Sequence, residues 1–188
     1  MTAAAAGKLS VFGAGGAALE LPFASGPANQ VPLSLQPKST GIFQTSGSSN
    51  PPKSGFIRVE LDKPETSGVA IFKYTDGREA SVLPSYPGKK YALFVEQSAS
   101  FYTGIAISRT GAEPVMLLLY DEKGVQVGSG EFAFDQGSSQ RARFLGQIFS
   151  LPRDFRGLLI MQSQGEFTTV GLRFGGSVLS TIPVVPVN

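Results

Sequence analysis

The sequence predicts an all-β fold: two tandem antiparallel β-sandwich units related by an internal repeat, with one short helix in the second. Three observations lead to it. Apolar and polar residues alternate with period two through most of the chain, as in strands with one face buried. The 188 residues include 23 Gly and 13 Pro but only 16% charged residues, the balance of a turn-rich β protein. Three blocks of sequence also recur in the same order about a hundred residues apart, as a duplicated structural unit would leave them.

The first strand is carried by Lys8-Leu-Ser-Val11, where Leu9 and Val11 alternate with Lys8 and Ser10. Phe56-Ile-Arg-Val-Glu-Leu61 and Val69-Ala-Ile-Phe72, running on to Tyr74, repeat the pattern. Further strands are expected over 91–96, 104–108, 115–120, 125–134, 157–163, 168–174 and 178–182. Gly15-Gly16, Asp76-Gly77, Lys123-Gly124 and Gly175-Gly176 punctuate them, each placing a glycine where a tight hairpin turn needs positive φ. One stretch departs from the alternation. Ser138 or Ser139 is placed to cap a helix of about two turns, since Phe144, Leu145, Ile148 and Phe149 follow at helical spacing and Pro152 stops it. Packing is what holds so short a helix in water, so those four residues are expected to plug one end of the second sandwich. Ser46-Gly-Ser-Ser-Asn-Pro-Pro-Lys-Ser54 has the composition of a linker or long hairpin loop.

In the repeat, Lys8 to Leu19 lies over Met116 to Val127 without a gap, matching Phe12 with Tyr120 and Gly16 with Gly124. Gly55 to Leu61 lies over Gly157 to Ser163, and Ala80 to Pro84 over Leu179 to Pro183. The offset falls from 108 to 102 to 99 residues, as small deletions in loops produce. A join near Tyr86-Pro87-Gly88 gives a first unit over 1–87 and a second over 88–188. The second copy has two strands, Tyr91 to Glu96 and Gly104 to Ser108, ahead of its first repeated block, whereas only seven residues precede Lys8. The first copy is therefore expected to be N-terminally incomplete, left with an unpaired sheet edge or an exposed apolar face. Such an edge either shares Tyr91 to Ser108 with the second copy or docks another molecule, so self-association through the sheet edge of the first unit is expected.

Thr103-Gly-Ile-Ala-Ile107, Leu119-Tyr-Asp-Glu-Lys-Gly124, Ala142-Arg-Phe-Leu145, Ile148-Phe149, Leu151-Pro152 and Asp154-Phe-Arg-Gly157 resemble a β-sandwich repeat of large secreted or cell-surface proteins of soil bacteria. The first copy resembles it through Ser67-Gly-Val-Ala-Ile-Phe72 and Asp76-Gly-Arg-Glu-Ala80, so the likeness covers nearly the whole chain. Ser108-Arg109 departs from it, standing where the repeat usually has Asn-Pro. The resemblance implies an extracellular or cell-surface location and non-catalytic work in tandem arrays, and it transfers no catalytic residue. Met1-Thr-Ala-Ala-Ala-Ala6 has neither the basic nor the apolar segment of a secretory signal.

His, Cys and Trp are all absent, which removes imidazole bases, thiolate nucleophiles, disulfides and the common zinc and iron–sulfur sites. No metal or cofactor is expected. The 16 Lys and Arg balance 14 acids to a net charge of +2 and are scattered, so no basic stripe offers itself to nucleic acid. No apolar run reaches membrane-span length. Paired carboxylates could still run glycoside hydrolysis, which makes an Asp/Glu glycosidase a third reading, but Asp76, Asp121 and Asp154 sit where acids satisfy turn backbone. No catalytic residue is assigned. Binding is the better class: a non-catalytic surface or matrix module for spacing, adhesion or self-association, with a carbohydrate-binding module as the alternative. For a glycan, Tyr86, Phe101 and Tyr102 are the candidate stacking residues, being least explained by strand alternation. Phe132, Phe134, Phe144, Phe149, Phe155 and Phe174 are assigned to the core.

Overall fold

The computed structural model of the chain describes residues 4–47, 51, 53–64, 66–73, 77, 79–176 and 178–187. It is all-β, with antiparallel pairing throughout. Two compact units are present, Met1–Gly68 and Val69–Asn188. The turn glycines behave as their chemistry demands: Gly16, Gly77, Gly124 and Gly176 have φ of 82°, 87°, 76° and 51°. Asp76 and Tyr74, and with them parts of one expected turn and strand, lie outside the described residues.

The first unit contains β1 (Ala5–Gly13), β2 (Leu21–Phe23), β3 (Gly26–Ala28), β4 (Gln30–Leu35) and β5 (Gly55–Leu61). Its sheet has the order β4-β1-β5. After β1 the chain turns at Gly16, whose N–H donates to the Gly13 carbonyl at 2.9 Å while the Gly13 N–H donates to Ala17 at 2.8 Å. The return is interrupted. Leu19 N–H donates to Val11 O, but Val11 N–H donates to Asn29 O, so the β2–β3 hairpin is an excursion between two residues that share one pairing partner. Phe23 from that hairpin packs with Leu9, Val11 and Leu33 as the small core of this unit.

The second unit begins with the hairpin β6 (Ala70–Lys73) and β7 (Glu79–Val82), where Lys73 faces Glu79 and their charges meet at 2.8 Å. There follow β8 (Gly88–Gln97), β9 (Tyr102–Arg109), β10 (Met116–Asp121), β11 (Gln126–Glu131), β12 (Gln140–Phe144), β13 (Phe155–Gly175), β14 (Val178–Ile182) and β15 (Val184–Pro186). The 21-residue β13 organises them. Its first half pairs with β10 and β8, and its second half, beyond a register break after Gln162, pairs with β9 and β14. One sheet therefore runs β11-β10-β13-β8-β15 and the other β12-β9-β13-β14. Between them Leu93, Val95, Leu117, Leu119, Leu159 and Met161 meet Ile105, Ile107, Phe167 and Ile182, which makes a sandwich core. The join was expected at Tyr86-Pro87-Gly88; the compact units divide after Gly68, because β7 lies beside β14.

The strand pairings coincide at the offsets visible in the sequence. Gly13 faces Gly55 and Lys8 faces Glu60, while 108 and 102 residues on Asp121 faces Gly157 and Met116 faces Gln162. The turn after β10 repeats the first one bond for bond: Gly124 N–H donates to Asp121 O at 3.0 Å, and Asp121 N–H to Val125 O at 2.9 Å. The β6–β7 hairpin matches β13–β14 as well, Lys73 facing Glu79 where Gly175 faces Val178. A Cβ at Gly55 would collide with the carbonyl oxygen of Phe12, and one at Gly157 with that of Tyr120, so both positions need glycine for the same close approach.

The expected two-turn helix is a single 3-10 turn, Leu145–Gln147, and residues 140–144 extend as β12 instead. Ser138 is not a helix cap; its hydroxyl donates to the Gln140 carbonyl at 2.5 Å in a local turn. The reason is the long-range ladder from Gln140 to Phe144 along β9, which outweighs a helical spacing that only four residues support. Three of the four expected plug residues are in place, since Leu145 is fully buried and Ile148 and Phe149 pack against the sandwich core, whereas Phe144 is exposed on β12. Gln147 fastens the turn by accepting the Phe144 N–H at its Oε1, 3.0 Å away.

Candidate functional site

Of the aromatics singled out in the sequence, Tyr102 lies at the start of β9 opposite Phe174 of β13. Two residues on, Gly104 faces Leu172 on one side and Phe144 of β12 on the other. Alternation then decides which way these side chains point. Thr103, Ile105, Ile107, Phe167 and Thr169 are buried toward the core, so Tyr102, Phe144, Leu172 and Phe174 stand on the outer face. Tyr102 is 43% exposed and Phe144 38%. The glycine between them matters: a Cβ at Gly104 would come within 3.2 Å of the Phe174 ring and 3.4 Å of the Phe144 ring, so the two rings lie over its bare backbone.

The resulting patch has a defined geometry. The Tyr102 and Phe174 rings are near parallel, 6° apart with centroids at 6.0 Å, and Phe144 stands edge-on to both at 5.2 and 5.1 Å. Offset-parallel and edge-to-face rings are the preferred aromatic arrangements. The patch offers apolar ring surface together with one phenol group, that of Tyr102. The sequence places Phe144 and Phe174 in the core; they are on the outer face instead, because period two separates two faces without saying which is covered. The signal that could have found them is the mid-strand Gly104, since a glycine inside a strand marks a place where other groups approach the backbone.

Phe101 has a different role. The Arg173 guanidinium lies over its ring at 3.5 Å and reaches the Glu96 carboxylate at 2.8 Å through Nε and 2.7 Å through Nη2. Arg156 approaches the other Glu96 oxygen at 3.5 Å. The Glu96 side chain is only 6% exposed. Its backbone is tied as well: Thr103 Oγ1 accepts the Glu96 N–H at 2.9 Å and donates to its carbonyl at 3.1 Å. Acid, two arginines and Phe101 thus lock the β8–β9 hairpin. Tyr86 belongs to neither group. It is 69% exposed, and its carbonyl accepts the Tyr91 hydroxyl.

Of the acids weighed for catalysis, Asp121 performs turn duty, its Oδ1 accepting the N–H groups of Lys123 and Val125, both at 2.9 Å. No helix among the described residues is long and apolar enough to cross a membrane. No family model matches the chain, and no curated protein or solved structure matches it either.

Proposed function

We propose that the chain is a non-catalytic extracellular surface or matrix module, built from two copies of one β unit, that works by spacing, adhesion or self-association. One observation carries this reading. Ile57 and Val59 face the same side of their sheet as the buried Leu9 and Val11, yet they are 50% and 51% exposed. At equal register in the second unit, Leu159 and Met161 are fully buried. A sheet with its apolar side half uncovered favours a working partner over a reaction, because large exposed apolar groups on a sheet mark association surfaces. Light scattering across a dilution series tests it. The expected result is a mass that rises above 19.8 kDa with concentration; a constant monomer mass removes self-association.

The patch of Tyr102, Phe144 and Phe174 favours carbohydrate binding as a second reading, since aromatic faces stack on pyranose rings. Co-sedimentation with insoluble polysaccharides tests it. Retention that is lost in Tyr102→Ala and Phe144→Ala, and kept in Tyr86→Ala, supports this patch; no retention on any polysaccharide removes it.

A further inference from the structure

Edge strands expose rows of unpaired N–H and C=O groups, and folded proteins blunt them with proline, inward charge, bulges or shortness. The edges at β4, β15, β11 and β12 follow that rule. Strand β4 carries Pro32, and β15 has only three residues, ending in Pro186. Strand β11 meets a register shift at Leu119/Tyr120. Strand β12 sets Arg143 opposite the buried Ile105, a charge on the inner face. Strand β5 has none of these devices. It runs seven residues without proline or break, and its inner positions are Ile57, Val59 and Leu61.

The free edge can be assigned group by group. Asp62 N–H donates to Ala6 O at 3.0 Å, so by the antiparallel period the backbone groups of Glu60, Arg58 and Phe56 point to β1. Those of Ile57, Val59 and Leu61 point away, and among the described residues no strand pairs with them. Their counterparts on β13, Leu159 and Met161, are paired on that side with Leu93 and Tyr91 of β8.

We infer that this edge is closed by the same edge of a second copy of the chain, the two β5 strands pairing antiparallel about a two-fold axis at Val59. The inference rests on the self-associating reading above and adds its surface, partner and register. Charge fixes the register. With Val59 on the axis, Ile57 opposes Leu61 of the second copy and Arg58 opposes Glu60 of the second copy, twice by symmetry. These charges fall at non-hydrogen-bonded positions, where cross-strand side chains come closest. Both are already held on the outer face, Glu60 at 3.1 Å from Lys8 Nζ and Arg58 at 5.4 Å from the Phe12 ring centroid. Moving the axis one residue sets Arg58 against Arg58, or Glu60 against Glu60. Moving it to Leu61 sets Glu60 against Asp62, and moving it to Ile57 leaves Arg58 against Phe56. The product is a continuous sheet β4-β1-β5-β5-β1-β4 with Ile57 and Val59 of both copies in one apolar patch.

The 188 residues include no cysteine, so single replacements report the axis directly. Val59→Cys should oxidise to a disulfide-linked dimer, because hydrogen-bonded antiparallel pairs hold their Cα atoms about 5.5 Å apart, inside the range a disulfide spans. Ile42→Cys, more exposed but off the axis, should stay monomeric under the same conditions. Arg58→Glu and Glu60→Arg should each raise the dimer dissociation constant about tenfold, and the double variant should restore it. A dimer that shows neither the Val59 cross-link nor the charge rescue overturns this interface and leaves self-association standing. A monomer at every concentration overturns both.

Discussion

Tyr91 joins burial to chemistry. Its hydroxyl reaches the carbonyl oxygens of Tyr86 and Phe167 from the floor of the sandwich core. Burial pushes its pKa above the ordinary 10.0; the Ser85 hydroxyl pulls it back down, and the Glu166 charge raises it further. The native state therefore holds this proton more tightly than the unfolded chain does. The resulting stability is fully present below about pH 10 and is lost as pH rises through the raised native value. Urea midpoints between about pH 8 and pH 11 should fall less steeply for Tyr91→Phe than for the parent, although the variant starts lower for want of the hydrogen bonds. Arg173→Ala should cost about 3 kcal/mol by denaturant unfolding, because it leaves the buried Glu96 carboxylate with only the longer Arg156 contact. Leu145→Ala, at a fully buried site, should cost about 2–5 kcal/mol on the same measurement.

Strands were legible where local chemistry dictates them and illegible where pairing does. The four turn glycines and the Asp121 turn follow from φ and from a carboxylate's reach, both readable in a dipeptide. The extension of Gln140 to Phe144 depends on a partner more than thirty residues earlier in sequence, so the spacing of Phe144, Leu145, Ile148 and Phe149 imitated a helix. Met116 to Tyr120 reads correctly as a strand although its run is continuously apolar, because Leu117 and Leu119 face the core while Leu118 and Tyr120 lie on the outer side. The pairing of β5 makes its own prediction. In dilute solution the amides of Arg58 and Glu60, bonded to β1, should exchange slowly, and those of Ile57, Val59 and Leu61 fast. Raising the concentration should protect the odd-numbered set alone. Protection of all five at every dilution would show that the free edge is already covered within the monomer.

The all-β class was the most legible feature of the chain, and the offsets of 108, 102 and 99 residues read from sequence are also offsets at which strand registers coincide. What could not be read is where copies end and compact units begin. Strands β6 and β7 match β13 and β14 in sequence, yet they stand beside β14 in the second unit. If the first unit is completed by its twin, its melting temperature should rise with protein concentration while that of the second stays fixed, as mass action requires. Scanning calorimetry at two concentrations checks this. Strand β13 carries a further consequence, which concerns the order of synthesis. Strands β8, β9 and β10 all await it as their pairing partner, although they leave the ribosome first. At about 5–20 residues per second, the stretch from Phe155 to Gly175 takes seconds to append, and until then Ile105 and Leu117 have only β12 and β11 to pair with and Leu93 lacks its central partner strand. Nascent chains stalled after Pro152 should therefore be cut freely by protease within β8–β12, whereas chains extended past Ile182 should resist. Translation of the stretch from Phe155 to Ile182 decides whether everything made since residue 88 becomes a folded body or an aggregate.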